Sequence, residues 1–490
     1  MRHAPRTSRR RAALTILIVS VVLSLVLPAT MIGQVGSDGS SDDLIFILDA
    51  SGSMWGQVKG KNKIVIARET FAELVGELDA RRRVGLVAYG HRREGDCSDI
   101  ERLVEVSPLD RERLVATVNA VQPKGMTPLA ASIGQALDQV RQADRPTTVV
   151  LLTDGLETCD ADPCATVRTA REAGLPFLLH VIGFDVAEDD AVQLACTAQA
   201  SGGLFLPAGD QEQLAAALAS AVQTTVGEAT AALVVGARAN DALQDVAVSV
   251  ERQGDASVAD VSARTYEDAA TNPVRVPLAA GRYEATVRAV GLEGDVERSF
   301  AFELAEGETV ERSFDFSTGS LAVEVRRDSE LGDATVSVRL AGGGDEVARG
   351  RTYTRSQTNP LPFELTAGTY DVVVESVEIA GTPSHTFPGV AIDAGSSATL
   401  RHAFESAVLR VGVERDGELV DAVIRVLAQD GREIDRARSY TRANSNPAEF
   451  RLVPGSYTVR VQEVRGAQAE EMVRVELVAG AESLQTVQLQ

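Results

Sequence analysis

The chain has 490 residues, more than one core of ~100–200 residues accommodates, and its 44% hydrophobic content excludes wholesale disorder. With 70 Asp and Glu against 48 Lys and Arg, the net charge is −22. That balance argues against nucleic acid as a partner, because phosphate binding needs a basic surface. The four lysines, Lys59, Lys61, Lys63 and Lys124, stand against many more arginines and read as compositional bias.

The N-terminus departs from this acidic background. Arg2, Arg6, Arg9, Arg10 and Arg11 precede an uncharged apolar run over residues 12–27, closed by Pro28-Ala29. A basic head, an apolar middle and small residues describe a secretory signal over residues 1–33. Extended through Ile32, the run reaches about the 20 residues a bilayer core needs. A retained anchor with its arginines in the cytoplasm is therefore the alternative, and would tether the chain to the membrane. Ser8-Arg9-Arg10-Arg11 carries the weak mark of a twin-arginine signal. Either way the body of the chain is expected outside the cytoplasm, in a periplasm or at the cell surface. Residues 34–42, rich in Gly, Ser and Asp, read as a flexible linker.

From residue 43 to 226, strand and helix patterns alternate. Leu44-Ile45-Phe46-Ile47-Leu48 is a continuous apolar run, as expected of a strand buried on both faces. Ile64, Ala67, Phe71, Leu74, Val75 and Leu78 follow at helical spacing. Residues 84–88 and 103–106 predict the second and third strands. Leu129, Ile133, Leu137 and Val140 mark a helix that Pro128 can start. Residues 149–152, 177–182 and 204–206 predict three more strands, and Leu214, Leu218 and Val222 a closing helix. Such alternation implies a doubly wound α/β domain, a mainly parallel sheet with helices on both faces.

Past residue 226 helical spacing gives way to short alternating runs punctuated by Gly, Asp, Asn and Pro, an all-β signature. The segment is a threefold repeat. Arg264-Thr265-Tyr266, Asn272-Pro273 and Gly281-Arg282-Tyr283 recur as Arg351-Thr352-Tyr353, Asn359-Pro360 and Gly368-Thr369-Tyr370. They recur again as Arg438-Ser439-Tyr440, Asn446-Pro447 and Gly455-Ser456-Tyr457, each step being 87 residues. The expectation is three small β-sandwiches over residues 231–316, 319–404 and 407–490. Gly-x-Tyr before alternating residues, as in Tyr370-Asp371-Val372-Val373-Val374, resembles the hairpin of transthyretin-like and carboxypeptidase-regulatory-like modules. Recurrence in all three copies favours a structural role for the Arg and Tyr landmarks. An aromatic content of 4% weakens a sugar-stacking role for the repeats.

The chemistry gathers at the strand ends of the first domain. Asp49-Ala50-Ser51-Gly52-Ser53 leaves the first strand with one carboxylate and two hydroxyls at alternate positions. Thr153-Asp154-Gly155 leaves the fourth strand, and Gly125-Met126-Thr127-Pro128 offers a hydroxyl at the start of a helix. Open parallel sheets bind ligands at that carboxyl edge. Asp-x-Ser-x-Ser, the Thr of Gly-Met-Thr-Pro and Thr-Asp-Gly together resemble the metal-ion-dependent adhesion site of von Willebrand factor A-type domains, over residues 43–226. The resemblance implies Ser51 and Ser53 as direct metal ligands, Asp49 and Asp154 as ligands directly or through water, and Thr127 as a ligand in the partner-bound form. It also implies strand order 3-2-1-4-5-6 with an antiparallel edge strand at residues 103–106.

The donor types agree with that resemblance. Hydroxyls, carboxylates and water are hard oxygen ligands that suit Mg²⁺, with Mn²⁺ or Ca²⁺ as alternatives. Three of the five groups are neutral, so a bound 2+ ion keeps much of its charge and favours an anionic ligand, of which a carboxylate of a protein partner is the natural candidate. Trp55, His91 and Arg92 are candidates for the rim, each with a plainer reading as packing or as a solvated loop. His180 falls inside a strand and reads as structural.

Cys97, Cys159, Cys164 and Cys196, an even number outside the cytoplasm, favour two disulfides over buried thiols. Metal binding by them is disfavoured, since Cys-x4-Cys lacks a second close pair. On the strand order that the resemblance implies, Cys97 pairs with Cys159 and Cys164 with Cys196; a longer bend of the first loop would pair Cys97 with Cys164 instead. The function expected is cation-dependent binding or adhesion without enzymatic activity. Two alternatives are a metal-dependent hydrolase using His91, and surface or carbohydrate binding through the repeats.

Overall fold

A computed structural model of the chain describes residues 42–490 apart from 144, 228, 255–259 and 466–468. The expected signal or anchor and nearly all of the linker lie outside the described residues. Among those described, no helix is long and apolar enough to cross a membrane.

Continuous apolar runs build the first sheet. Its strands are β1 (Asp43–Asp49), β2 (Arg83–Tyr89), β3 (Ile100–Pro108), β4 (Thr147–Thr153), β5 (Phe177–Phe184) and β6 (Phe205–Ala208). Every residue of β1, β4 and β5 is buried, as two-sided coverage requires. Their order is β3-β2-β1-β4-β5-β6, with β3 antiparallel to β2 at the edge and the other pairs parallel. Alternation along β1 divides the core. Leu44, Phe46 and Leu48 pack with α1 (Lys63–Glu77), α2 (Arg111–Ala120) and α6 (Gln211–Gln223), while Ile45 and Ile47 pack with α3 (Leu129–Ala143), α4 (Pro163–Glu172) and α5 (Ala191–Gln199).

Helix α2 has no counterpart in the sequence expectation. It buries only Leu114 and Val118, one i,i+4 pair, so its apolar stripe is too thin to register as a pattern. The Asp110 side chain starts it by accepting from the Arg113 amide at 3.0 Å. His180 is structural in the way its strand position suggests. It accepts from the Leu204 amide at Nδ1 (3.1 Å), which leaves Nε2 to donate to the Thr224 carbonyl at 2.8 Å. Burial lowers its pKa to about 4 despite the Thr224 bond, so the imidazole is neutral.

Beyond α6 the chain forms three pairs of four-stranded sheets with one connectivity. In each, the Gly-x-Tyr tyrosine bonds back four residues: Tyr283 to the Ala279 carbonyl, Tyr370 to Thr366 and Tyr457 to Val453, at 2.9, 2.6 and 2.7 Å. The Asn of each Asn-Pro step, all three of them cis, clamps the backbone of the opening strand: Asn272 at Ala237, Asn359 at Val325, Asn446 at Val413. The hydroxyls of Thr265, Thr352 and Ser439 accept from the amides of Val246, Ala334 and Ala422. The Asn and hydroxyl landmarks satisfy buried backbone groups in every copy, whereas the tyrosine bond is buried only at Tyr370.

The Arg and Tyr landmarks behave differently from copy to copy. In each, the arginine pairs with an aspartate (Asp245, Asp333, Asp421) and lies over the tyrosine ring, at 4.9 Å for Tyr266, 5.1 Å for Tyr353 and 4.9 Å for Tyr440. Yet Tyr266 is 5% exposed, while Tyr353 and Tyr440 are 45% and 46% exposed. The difference is the first domain: Tyr266 joins its core beside Phe205, and Arg264 adds an ion pair to Glu188. Structural recurrence therefore explains the Arg–Tyr unit only where it is covered. Tyr266→Ala is expected to cost about 2–3 kcal/mol in denaturant unfolding through lost apolar burial, whereas Tyr353→Ala and Tyr440→Ala should stay within about 0.5 kcal/mol.

Candidate metal centre

Parallel pairing sets Leu48 opposite Leu152, so β1 and β4 release their chains at one level of the sheet edge. Asp49 is the last residue of β1 and is fully buried; Asp154 follows β4 and is 7% exposed. Asp49 accepts from the Ser51 amide (2.7 Å), the Thr153 hydroxyl (2.7 Å) and the Asp154 amide (3.4 Å). Thr153 in turn accepts from the buried Tyr89 hydroxyl at 3.1 Å, which fixes Asp49 from β2 as well. Ser51 and Ser53 share a hydroxyl hydrogen bond of 2.8 Å, and the Ser53 hydroxyl donates to Asp154 Oδ1 at 2.6 Å. Four of the five expected donors thus form one connected cluster.

Backbone approach brings the loop of the fifth donor alongside. Ser51 bridges Gly125, Gly52 N donates to the Gly125 carbonyl (3.1 Å), and Lys124 N donates to the carbonyls of Ala50 (3.0 Å) and Gly90 (2.9 Å). Two glycines make this possible. A Cβ on Gly90, whose φ is +67°, would lie 2.7 Å from the Met126 carbonyl oxygen, and one on Gly125 would lie 2.6 Å from that of Arg93. Thr127 is buried two residues beyond Gly125, its backbone held by Thr158 through bonds of 2.8 and 3.1 Å.

The electrostatics fit a cation. Burial first, then the charge of Asp49, raises the pKa of Asp154 to about 6, although the Ser53 bond and Lys63 oppose the shift. A buried carboxylate held against a second one is a group that a divalent ion stabilises, and the donors offered are all hard oxygens. Lys63 is the residue to which composition assigns no role. Its Nζ lies 3.2 Å from Asp154 Oδ2 and 2.9 Å from Asp185 Oδ2. Burial lowers its pKa, but the Asp185 and Asp154 contacts outweigh that and hold it above the ordinary lysine value.

Residues 44–157 match the family model described as von Willebrand factor type A domain. The chain carries a von Willebrand factor type A domain. Its relatives include YwmC of Bacillus subtilis (strain 168), 26% identical over 209 residues, which cover 41% of this chain and 91% of that protein. Among solved structures, a von Willebrand factor type A protein from Catenulispora acidiphila aligns at 15% identity and a TM-score of 0.33, covering 55% of this chain and 67% of that one. The Bacillus anthracis TIE protein aligns at 17% identity and a TM-score of 0.19; the match covers 53% of this chain and 50%, or half, of the TIE chain.

The three residues that the sequence offers as rim candidates, Trp55, His91 and Arg92, differ in availability. Trp55 is 47% exposed, with its indole N–H on the Pro123 carbonyl at 3.0 Å. His91 is not a solvated loop histidine: its side chain is 10% exposed and its Nε2 lies 2.9 Å from Glu101. Arg92 is engaged by Asp99 (2.6 Å) and Glu101 (3.2 Å). Asp99, fully buried and absent from the sequence expectation, organises this loop by accepting from the Arg92 and Arg93 amides at 2.7 and 2.8 Å.

Two disulfides brace the same edge. Cys97–Cys159 joins the loop after β2 to the loop after β4, across a separation of 62 residues, and Cys164–Cys196 joins α4 to α5. Glu157 adds a polar brace, accepting from the Cys159 and Ala130 amides, both at 2.8 Å, and so holding the start of α3. Cys97→Ser with Cys159→Ser is expected to lower stability in equilibrium unfolding by about 2–4 kcal/mol, the typical contribution of a disulfide.

Proposed function

We propose that the chain is an exported, divalent-cation-dependent binding protein without enzymatic activity. The cation, Mg²⁺ in the first instance, would be held by Asp49, Ser51, Ser53, Asp154 and, when a partner is engaged, Thr127. The bound ion supplies a Lewis-acid position that takes a carboxylate of a protein partner. The observation that carries this reading is the connected oxygen cluster with the buried, charge-crowded Asp154 at its centre. Von Willebrand factor type A domains serve as adhesion and protein-interaction modules, which agrees with it.

The chain's own residues have defined parts in such binding. Ser51 and Ser53 orient the hydroxyls, Tyr89 and Thr153 hold Asp49 in place, and the Cys97–Cys159 bridge fixes the loops around them. The exposed face of Trp55 offers apolar contact beside the cluster. The two disulfides support an oxidising, extracytoplasmic location. The repeats would space the type A domain from its point of attachment.

Calorimetric titration of Mg²⁺ into the purified chain is expected to show one site, with Asp49→Ala and Asp154→Ala each weakening binding at least about tenfold, the scale of a lost charged ligand. Binding heat unchanged in both variants would reject the assignment. A pull-down from envelope fractions should lose its partner on adding EDTA and in Asp154→Ala alike.

A further inference from the structure

Resting on the reading of the cluster as a cation site, we propose that Lys63 is its resident counter-ion: the ammonium steadies Asp154 when no divalent ion is bound and weakens the hold on that ion when one is. The geometry is that of a built contact. The Lys63 side chain is 11% exposed and that of Asp154 fully buried, so little solvent screens their 3.2 Å separation. The lysine is also placed by the loop that carries the hydroxyl ligands. Its backbone N–H donates to the Gly56 carbonyl at 2.8 Å, and its Cε lies 3.5 Å from where a Gly56 Cβ would stand, so the stem runs along this backbone. Asp185, just past β5, takes the other side of the ammonium at 2.9 Å and is 47% exposed.

Charge counting gives the consequence. Asp49 and Asp154 together balance one divalent ion. Lys63 adds a further positive charge one carboxylate away from it, offset only in part by the half-exposed Asp185. The loaded site therefore carries excess positive charge. That lowers its affinity for the bare ion and raises its preference for an anionic ligand, so that cation and acidic partner bind more tightly together than apart. Without the ion, the same ammonium stabilises Asp154 where it would otherwise face only Asp49.

The test uses the purified full chain, with Mg²⁺ alone as the probe. Lys63→Met keeps the stem and removes the charge; Asp185→Asn removes the competing carboxylate charge, although the Asp185 carbonyl still accepts from the ammonium at 3.4 Å. Lys63→Met is expected to melt lower than wild type in EDTA and to bind Mg²⁺ about tenfold more tightly. Asp185→Asn, at a half-exposed position that tolerates the change, should shift Mg²⁺ affinity the opposite way, several-fold weaker. A Lys63→Met chain that melts lower but binds Mg²⁺ as wild type does would reduce the contact to an ordinary ion pair and overturn the proposal, as would unchanged affinity in Asp185→Asn. Should wild type bind no Mg²⁺ at all, the cation-site reading fails instead. The EDTA melt then reads only the Lys63–Asp154 contact, and an unchanged melt in Lys63→Met rejects that part of the proposal too.

Discussion

Two carboxylates ending adjacent parallel strands, Asp49 and Asp154, lie side by side with almost no access to water. A buried ionised carboxylate is unfavourable by several kcal/mol unless it is paired or richly hydrogen-bonded, and much of the surrounding structure answers that demand. Asp49 is satisfied by two backbone amides and the Thr153 hydroxyl, itself held by Tyr89. Asp154 accepts the Ser53 hydroxyl and lies 3.2 Å from the Lys63 ammonium, an arrangement that still leaves its pKa at about 6. Gly90 and Gly125 let three loops approach at backbone distance, and Cys97–Cys159 keeps two of the loops at that edge together. On this account a divalent ion neutralises the two carboxylates, and Lys63 leaves the loaded site with positive charge that an acidic partner can meet.

The β repeats face a milder constraint and meet it three times in the same way. Buried backbone groups in each copy are taken up by an Asn and a Thr or Ser hydroxyl, and a tyrosine bonds back four residues to a carbonyl that is buried only in the second copy. Their exteriors diverge. Tyr266 is absorbed into the core of the type A domain, whereas Tyr353 and Tyr440 keep the same arginine beneath them and face solvent. One sequence motif therefore serves as an interface in one copy and as surface in two.

Much of this is legible in the sequence. Two-sided apolar runs alternating with helical spacing imply the mainly parallel sheet, the family resemblance implies its strand order, and both appear as expected. The position of the candidate donors at one edge is equally visible, because strand ends are where an Asp-x-Ser-x-Ser run becomes a loop. Lys63 was not legible as a partner of Asp154. Three of the four lysines fall between residues 59 and 63, just after the hydroxyl-bearing loop, and that local enrichment was the available signal. Its meaning depends on Asp154 lying 91 positions away along the chain, a contact that only the parallel pairing of β1 with β4 creates. Asp99 escaped for a related reason: a carboxylate in a polar loop looks solvated until the loop folds over it. The split between Tyr266 and its two counterparts is invisible to a repeat analysis, since it is imposed by a neighbouring domain.

The central claim is that a divalent ion sits among these particular oxygens. Crystals of the chain soaked with Mn²⁺ test it through the anomalous scattering of the metal. The account predicts one dominant peak about 2.0–2.3 Å from the hydroxyl oxygens of Ser51 and Ser53, with Asp49 and Asp154 in direct or water-mediated contact. A peak away from these residues, or none at saturating Mn²⁺, would contradict it.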